Sequence, residues 1–194
     1  MTKSERTKQL IIGKAAELIN KKGMAGTSMS DIMEATKLAK GGIYGNFENK
    51  DAICHEAYDF LSQKRYNELT EAVDEQKTAR LKLFALLDYY NNRRHANAGG
   101  CHMLNFGMEA DDTNPVMKKK VQQSMEKIEK KITKIIKEGI ANKEFKGDVD
   151  AALFASKAFA MIEGAIFAGR LYNNNKHILI ITEALKNEIN SYLE

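Results

Sequence analysis

Apolar residues recur by threes and fours along most of the chain, the spacing that lines one face of an α-helix. The first such run is led by Arg6, carries Ala15, Ala16 and Leu18, and stops at Lys22-Gly23. Residues Ser28 to Phe47, SMSDIMEATKLAKGGIYGNF, then compress two short helices and a tight turn into twenty residues. Ser28 followed three positions later by Asp31 marks a helix start, because hydroxyl and carboxylate can each satisfy a backbone N–H that the first turn leaves unpaired. Asp31 also suits the positive end of the helix dipole. Ile32 and Ala35 continue at helical spacing, Leu38 supplies an apolar residue for the turn, and a second helix is expected from about Ala39.

Longer helices are expected downstream. One is capped by Asn49 and runs from Lys50 through Ile53, Ala57, Phe60 and Leu61 towards Val73. Another covers Ala79 to about Ala96, with Leu83, Phe84, Leu87 and Tyr90 on one stripe. The segment from Asn97 to Asn114 contains Gly99, Gly100 and Gly107 and reads as broken, with at most a short helix from His102 to Met108. Pro115 fits the first turn of the next helix, where its missing N–H costs nothing. Val121, Met125, Ile128, Ile132, Ile135 and Ile136 then form a stripe flanked by lysines. Because Glu126, Glu129 and Glu138 intersperse those lysines, the basic face reads as solvated rather than as a second nucleic-acid surface.

From Asp148 the sequence AALFASKAFAMIEGAIFAGRLY is apolar nearly all round, which predicts a helix covered on every side. The last stretch, Ile178 to Leu193, is amphipathic. The whole reads as all-α, an expectation strengthened by a single proline and abundant Lys, Glu, Ala, Leu and Ile.

Charge divides unevenly. Residues 1–50 hold nine Lys and Arg against five Asp and Glu, a net of +4, whereas residues 51–194 hold twenty-one of each. The positive excess therefore sits on the N-terminal three-helix end, a bias that favours a nucleic-acid partner. Three glycines, Gly41, Gly42 and Gly45, crowd the second short helix, although each costs about 1 kcal/mol relative to alanine. Close approach of bare backbone to phosphates or base edges is one reason to accept that cost, with Lys40 supplying charge and Tyr44 a phenol. The plainer reading is a glycine-rich turn over a core that buries Ile43 and Phe47.

This first stretch of about sixty residues resembles the DNA-binding end of the TetR family of bacterial transcriptional regulators. Arg6, Ala15, Ala16, Leu18, Lys22-Gly23, Thr27, Ser28, Asp31, Ile32, Lys40-Gly41, Ile43-Tyr44, Phe47 and Lys50 all fall in that family's order and spacing. The sequence departs from the pattern at Gly42, where threonine is frequent, at Gly45, where a bulky residue is frequent, and at Asn46, where histidine is. The resemblance implies a helix-turn-helix head at 1–48 and a ligand-binding and dimerisation body at 49–194. Lys40, Gly41, Gly42 and Ile43 would then approach the major groove, while Thr27, Ser28, Tyr44, Asn46 and Lys50 hold phosphates. It further implies a dimer built from the last two helices, with Ala158, Ala165, Gly169, Ile181, Leu185 and Ile189 at the interface. A pocket for an unidentified small-molecule effector would draw on Phe84, Leu87, Tyr90, Met103, Phe106, Met125, Phe159 and Glu163, with Arg170 or Lys157 as alternative partners for the Glu163 carboxylate.

The expected function is thus a homodimeric, sequence-specific regulator, a repressor released from a palindromic operator by its effector, and not an enzyme. Cys101 and His102 are adjacent and so point apart, and neither Glu-x-x-His, HExxH nor a Walker-type loop is present. No cofactor or metal is expected, since Cys54 and Cys101 lack metal spacing and His95 and His102 do not supply it. Two distant cysteines suit a reducing cytoplasm. The charged, interrupted start is unlike a signal peptide, and no unbroken apolar run reaches membrane-spanning length. The rival from another class is a helical small-molecule carrier or interaction module that does not bind DNA.

Overall fold

A computed structural model of the chain describes residues 1–92 and 99–194. Among these lie nine α-helices: α1 (Lys3–Lys22), α2 (Met29–Thr36), α3 (Lys40–Tyr44), α4 (Lys50–Asp74), α5 (Ala79–Asn92), α6 (His102–Ala110), α7 (Pro115–Ala141), α8 (Ala151–Leu171) and α9 (Lys176–Ser191). The described residues contain no strand, only an isolated bridge between Phe145 and Leu193. The all-α expectation is met.

Local signals mark several helix starts. Ser28 caps α2 with both arms of the capping box formed, and the Asn49 side chain accepts from the Ala52 N–H at 2.9 Å. Asn114 caps the Pro115-led helix by accepting from the Met117 N–H at 3.0 Å. Two starts differ from expectation. Thr2, not Arg6, opens the first helix through its own capping box with Glu5, and Asp150, not Asp148, caps α8 by accepting from Ala152 and Leu153. The last expected turns of α5, up to Ala96, lie outside the described residues.

The chain folds as two compact units, residues 1–64 with 98–122 and residues 65–97 with 123–194. This division differs from a boundary at residue 48, because α4 is continuous from Lys50 to Asp74 and its first part belongs to the first unit. In that unit Ile11, Ala15, Ala16, Ile32, Ile43 and Ile53 have no more than traces of exposed surface. Tyr58 is buried with the Phe106 ring 5.3 Å away, edge on, and the His102 ring at 5.5 Å.

In the second unit α9 packs on α5 and α8. The Glu144 carboxylate caps α5 from across the unit, accepting from the Ala79 and Arg80 N–H groups at 2.7 and 2.8 Å. The α7–α8 loop is tied to the C-terminus, where Lys146 donates its N–H to the Tyr192 carbonyl at 2.8 Å. Burial and the neighbouring Glu188 carboxylate, which accepts from the Tyr192 hydroxyl, push that phenol well above its ordinary range.

Packing here leaves no room at Gly139, where a Cβ would lie 2.4 Å from the Phe145 ring and 2.8 Å from the Ala79 Cβ. Gly139→Ala is accordingly expected to lose about 1–3 kcal/mol despite its better helix propensity, from overpacking. A denaturant midpoint at or above the parent's would show that Phe145 can yield.

By length and composition α8 does qualify as a possible membrane span, the one such helix among the described residues. A search for unbroken apolar runs misses it because Lys157, Glu163 and Arg170 interrupt it, while its many alanines and aliphatics keep the average high. Its Ala158, Phe159, Ile162 and Ala165 are buried within the protomer, as in a core helix of a folded body.

Candidate nucleic-acid interface

The α2–α3 pair is held mainly by its apolar residues, with Thr36 also buried and its hydroxyl donating to the Ile32 carbonyl at 2.8 Å. Ile32 and Ile43 are wholly buried and Phe47 nearly so. Between the helices Lys37 adopts a left-handed conformation, φ 59°, and its N–H bonds to the Glu34 carbonyl. Helix α3 is a single short turn-and-a-half whose N-cap, Ala39, offers no side-chain cap.

The outward face of α3 carries Lys40, Gly41, Tyr44 and Gly45, all exposed. The Lys40 ammonium lies 5.6 Å from the centre of the Tyr44 ring, so charge and phenol stand together. Internal packing does not require glycine at position 41, because a Cβ there would meet nothing within 4 Å. At Gly42 the Leu38 side chain would be at ordinary contact distance, 3.4 Å, while at Gly45 the Gly41 carbonyl is closer, 3.0 Å. The openness at Gly41 is what a helix needs if its backbone is to enter a groove.

Several residues expected at the interface have other work. Ile43 is a core residue, not a groove residue: its position on α3 points it inward with Phe47. Thr27 is also buried, and its hydroxyl donates to the Gly23 carbonyl at 2.7 Å, which closes the end of α1 rather than facing a phosphate. Lys50 donates to the carbonyls of Met24 at 2.9 Å and Thr27 at 3.1 Å, leaving one of its three N–H donors for an anion. Asn46 donates to the Gly42 carbonyl at 2.8 Å and accepts from the Ser4 hydroxyl at 3.4 Å, tying α1 to α3. Ser28 is exposed, with its hydroxyl donated to Asp31 at 2.6 Å. The Lys22 ammonium at 2.7 Å, together with the Ser28 hydroxyl and N–H, holds the Asp31 carboxyl well below the usual carboxylate range. Lys37 is also exposed, at the left-handed turn between the two helices.

Four of the eight lysines of α7 are matched by carboxylates. Lys120 meets Asp59 at 2.6 Å, Lys130 meets Glu126 at 2.9 Å, Lys131 meets Asp74 at 3.0 Å and Lys134 meets Glu138 at 3.7 Å.

The residues expected to form an effector pocket are divided between the two units. Met103 and Phe106 are buried in the first. In the second, Leu87, Phe159 and Glu163 are buried, with the last two one turn apart on α8, and Tyr90 packs edge on to Tyr89 at 5.4 Å. Phe84 instead lies between the Arg80 guanidinium, 4.5 Å away, and the Lys186 ammonium, 5.3 Å away, so it is dressed by surface cations. Met125 is 36% exposed. Lys157 is committed to Glu188 at 2.5 and 2.7 Å and does not serve Glu163.

Of the residues expected at a dimer interface, Ala158, Ala165, Gly169, Leu185 and Ile189 are buried inside the protomer. The outward stripe of α8 is a different one, Leu153, Ala160, Gly164, Phe167 and Leu171, beside exposed Leu179 and Ile180 of α9. Periodicity could not separate the two stripes because both are apolar. Burial pushes the Cys54 thiol up to about 11, an unreactive state at neutral pH. His95, Arg93 and Arg94 lie outside the described residues.

Residues 11–57 match the family described as bacterial regulatory proteins, tetR family, and residues 78–185 match the one described as tetracyclin repressor-like, C-terminal domain. The HTH-type transcriptional repressor DhaR of Mycobacterium sp. (strain GP1) is 24% identical over 187 residues, spanning 92% of this chain and 91% of its own. A solved TetR-family transcriptional regulator from Cytophaga hutchinsonii is 38% identical with a TM-score of 0.93, covering 100% of this chain and 98% of its own. Another from Chloroflexus aurantiacus J-10-FL is 31% identical with a TM-score of 0.95 over the same shares.

Proposed function

The chain belongs to the TetR family of DNA-binding transcriptional regulators, and from that premise we propose that it is a cytoplasmic repressor. It binds a palindromic operator as a homodimer and is released by a small-molecule effector. The observation that carries this reading is the outward face of α3, with Lys40 beside Tyr44 and open backbone at Gly41, set on a buried Ile43 and Phe47. A carrier that does not bind DNA has no use for that face.

In this mechanism α3 enters the major groove backbone first. Lys40 supplies a donor for a guanine edge or a phosphate, and the Tyr44 hydroxyl donates to a phosphate. Asn46 and Lys50 each keep a donor beyond those they spend internally, and Ser28 sits at the α2 start, where N–H groups point outward. Two copies joined through the outer stripe of α8 and α9 present two such faces, and half-sites a helical turn or more apart are then read together. The effector is assigned to the body, with the buried Glu163 as the polar group that orients it among apolar side chains. Its binding favours a dimer whose faces no longer match the half-sites.

Selection of duplexes from a random pool by the purified protein tests the reading. Enrichment of a palindrome supports it, and a folded dimer that enriches nothing favours the carrier. A sharper test is Gly41→Ala. Alanine should raise the stability of the head by about 0.5–1 kcal/mol through helix propensity. Operator affinity should fall all the same, because the new methyl occupies the approach to the groove. A variant that gains both stability and affinity would mean that α3 does not meet DNA through bare backbone.

A further inference from the structure

Resting on the reading of this protein as a DNA-binding regulator, we propose that Glu109 of α6 is a positioning residue for operator binding, although it lies outside the helix-turn-helix. Its carboxylate holds the loop between α1 and α2 in the shape that presents the start of α2. One oxygen, Oε1, accepts the Met24 N–H at 2.8 Å, and Oε2 accepts the Ala25 N–H at 2.8 Å. Two backbone donors on one carboxylate form a charge-assisted, bidentate clamp.

The neighbouring groups of the loop are satisfied from other directions. The Gly23 N–H bonds to the Ile19 carbonyl at 2.8 Å, and the Ser28 N–H bonds to Asp31 at 2.7 Å. On the acceptor side Lys50 takes the carbonyls of Met24 and Thr27. A carboxylate from α6 and an ammonium from α4 therefore fix the donors and the acceptors of the same few residues. The chain is shaped to admit the carboxylate: Gly23 has φ 86°, and a Cβ there would lie 2.5 Å from Glu109 Oε1.

A second tie lies one turn earlier on the same helix. Asn105 donates to the Asn20 carbonyl at 2.8 Å and to the Gly99 carbonyl at 2.7 Å, so α6 grips the last turn of α1 as well as the loop beyond it. The clamped loop leads directly into Ser28 and the first turn of α2. Released, it must be ordered again each time DNA binds, and affinity falls although no group that touches DNA has been removed.

The test compares parent, Glu109→Ala and Glu109→Gln on the operator recovered from the duplex pool, together with amide hydrogen exchange of the free proteins. Glu109→Ala is expected to bind about tenfold more weakly, the scale of losing hydrogen bonds to a charged acceptor. Its dependence on salt should keep the parent slope, since no phosphate contact is lost. Exchange at Met24 and Ala25 should quicken while Ile11 and Ile12 stay protected. Glu109→Gln keeps one oxygen and should fall between, and it carries the comparison if the alanine variant does not fold. Parent-like affinity in a folded variant whose Met24 and Ala25 amides exchange faster would overturn the proposal and leave the regulator reading intact. A parent protein that binds no duplex, with those amides protected, would remove both.

Discussion

Phe167→Glu is expected to convert a dimer into monomers and to abolish operator binding at concentrations where the parent saturates. Phe167 is 57% exposed in the protomer, between Gly164 and Leu171 on a stripe that continues onto Leu179 and Ile180 of α9. Contiguous exposed apolar surface of this kind marks an interaction site. A glutamate there would have to enter an apolar contact uncompensated, twice over if the contact is symmetric. Because joining two heads makes the second contact intramolecular, its loss should weaken operator binding by roughly 10²–10⁴-fold. Sedimentation gives the oligomeric state and a binding titration the affinity. A variant that stays dimeric and binds as the parent does would move the interface away from α8 and α9, while unchanged thermal unfolding of the monomer would show that the stripe is not part of the protomer's own core.

Ile43→Ala and Lys40→Ala, three positions apart on one short helix, should have opposite signatures. Ile43 is wholly buried, so truncation removes its burial and leaves a cavity beneath α3, at a cost of about 2–5 kcal/mol. The expected result is a large fall in the unfolding midpoint, with DNA binding lost as a consequence and recovered in part at low temperature. Lys40 is exposed, with its ammonium 5.6 Å from the centre of the Tyr44 ring, so its removal should leave the midpoint within about 0.5 kcal/mol of the parent. Operator affinity should drop nonetheless, with the salt slope reduced by about one. If Lys40→Ala keeps the parent slope, Lys40 is not a phosphate contact. If Ile43→Ala unfolds as the parent does and loses sequence preference, Ile43 reads bases and the burial seen here does not persist on DNA.

These contrasts explain what could be read from the sequence. Ser28 with Asp31, Asn49 and Pro115 signal helix starts through contacts that span only a few residues, so their outcome is legible in the letters themselves, whereas the Asn114 cap before Pro115 emerges only in the structure. The glycines of α3 were legible as an anomaly, and the open space at Gly41 supplies its reason. Thr27, Ile43 and Lys50 share a motif with Lys40 and Tyr44, but a motif does not say which members face inward. Thr27 and Lys50 are polar residues used on backbone carbonyls, a role indistinguishable in sequence from holding a phosphate.

Helix α8 shows the same limit on a larger scale. Its apolar residues run nearly all round, so the pattern has no phase, and nothing in it selects Gly164, Phe167 and Leu171 over Ala158, Ala165 and Gly169 for the outer face; the packing of α9 on α8 does. The all-helical class, the helix-turn-helix and the family are legible in the residues alone, because they depend on propensity, caps and spacing among near neighbours. Which face of each helix lies outside, and which residues steady the loop before α2, depends on how the helices pack. Glu109 meets Met24 across 85 positions of chain, and a contact at that separation is set by the packing of whole helices, which leaves no local trace.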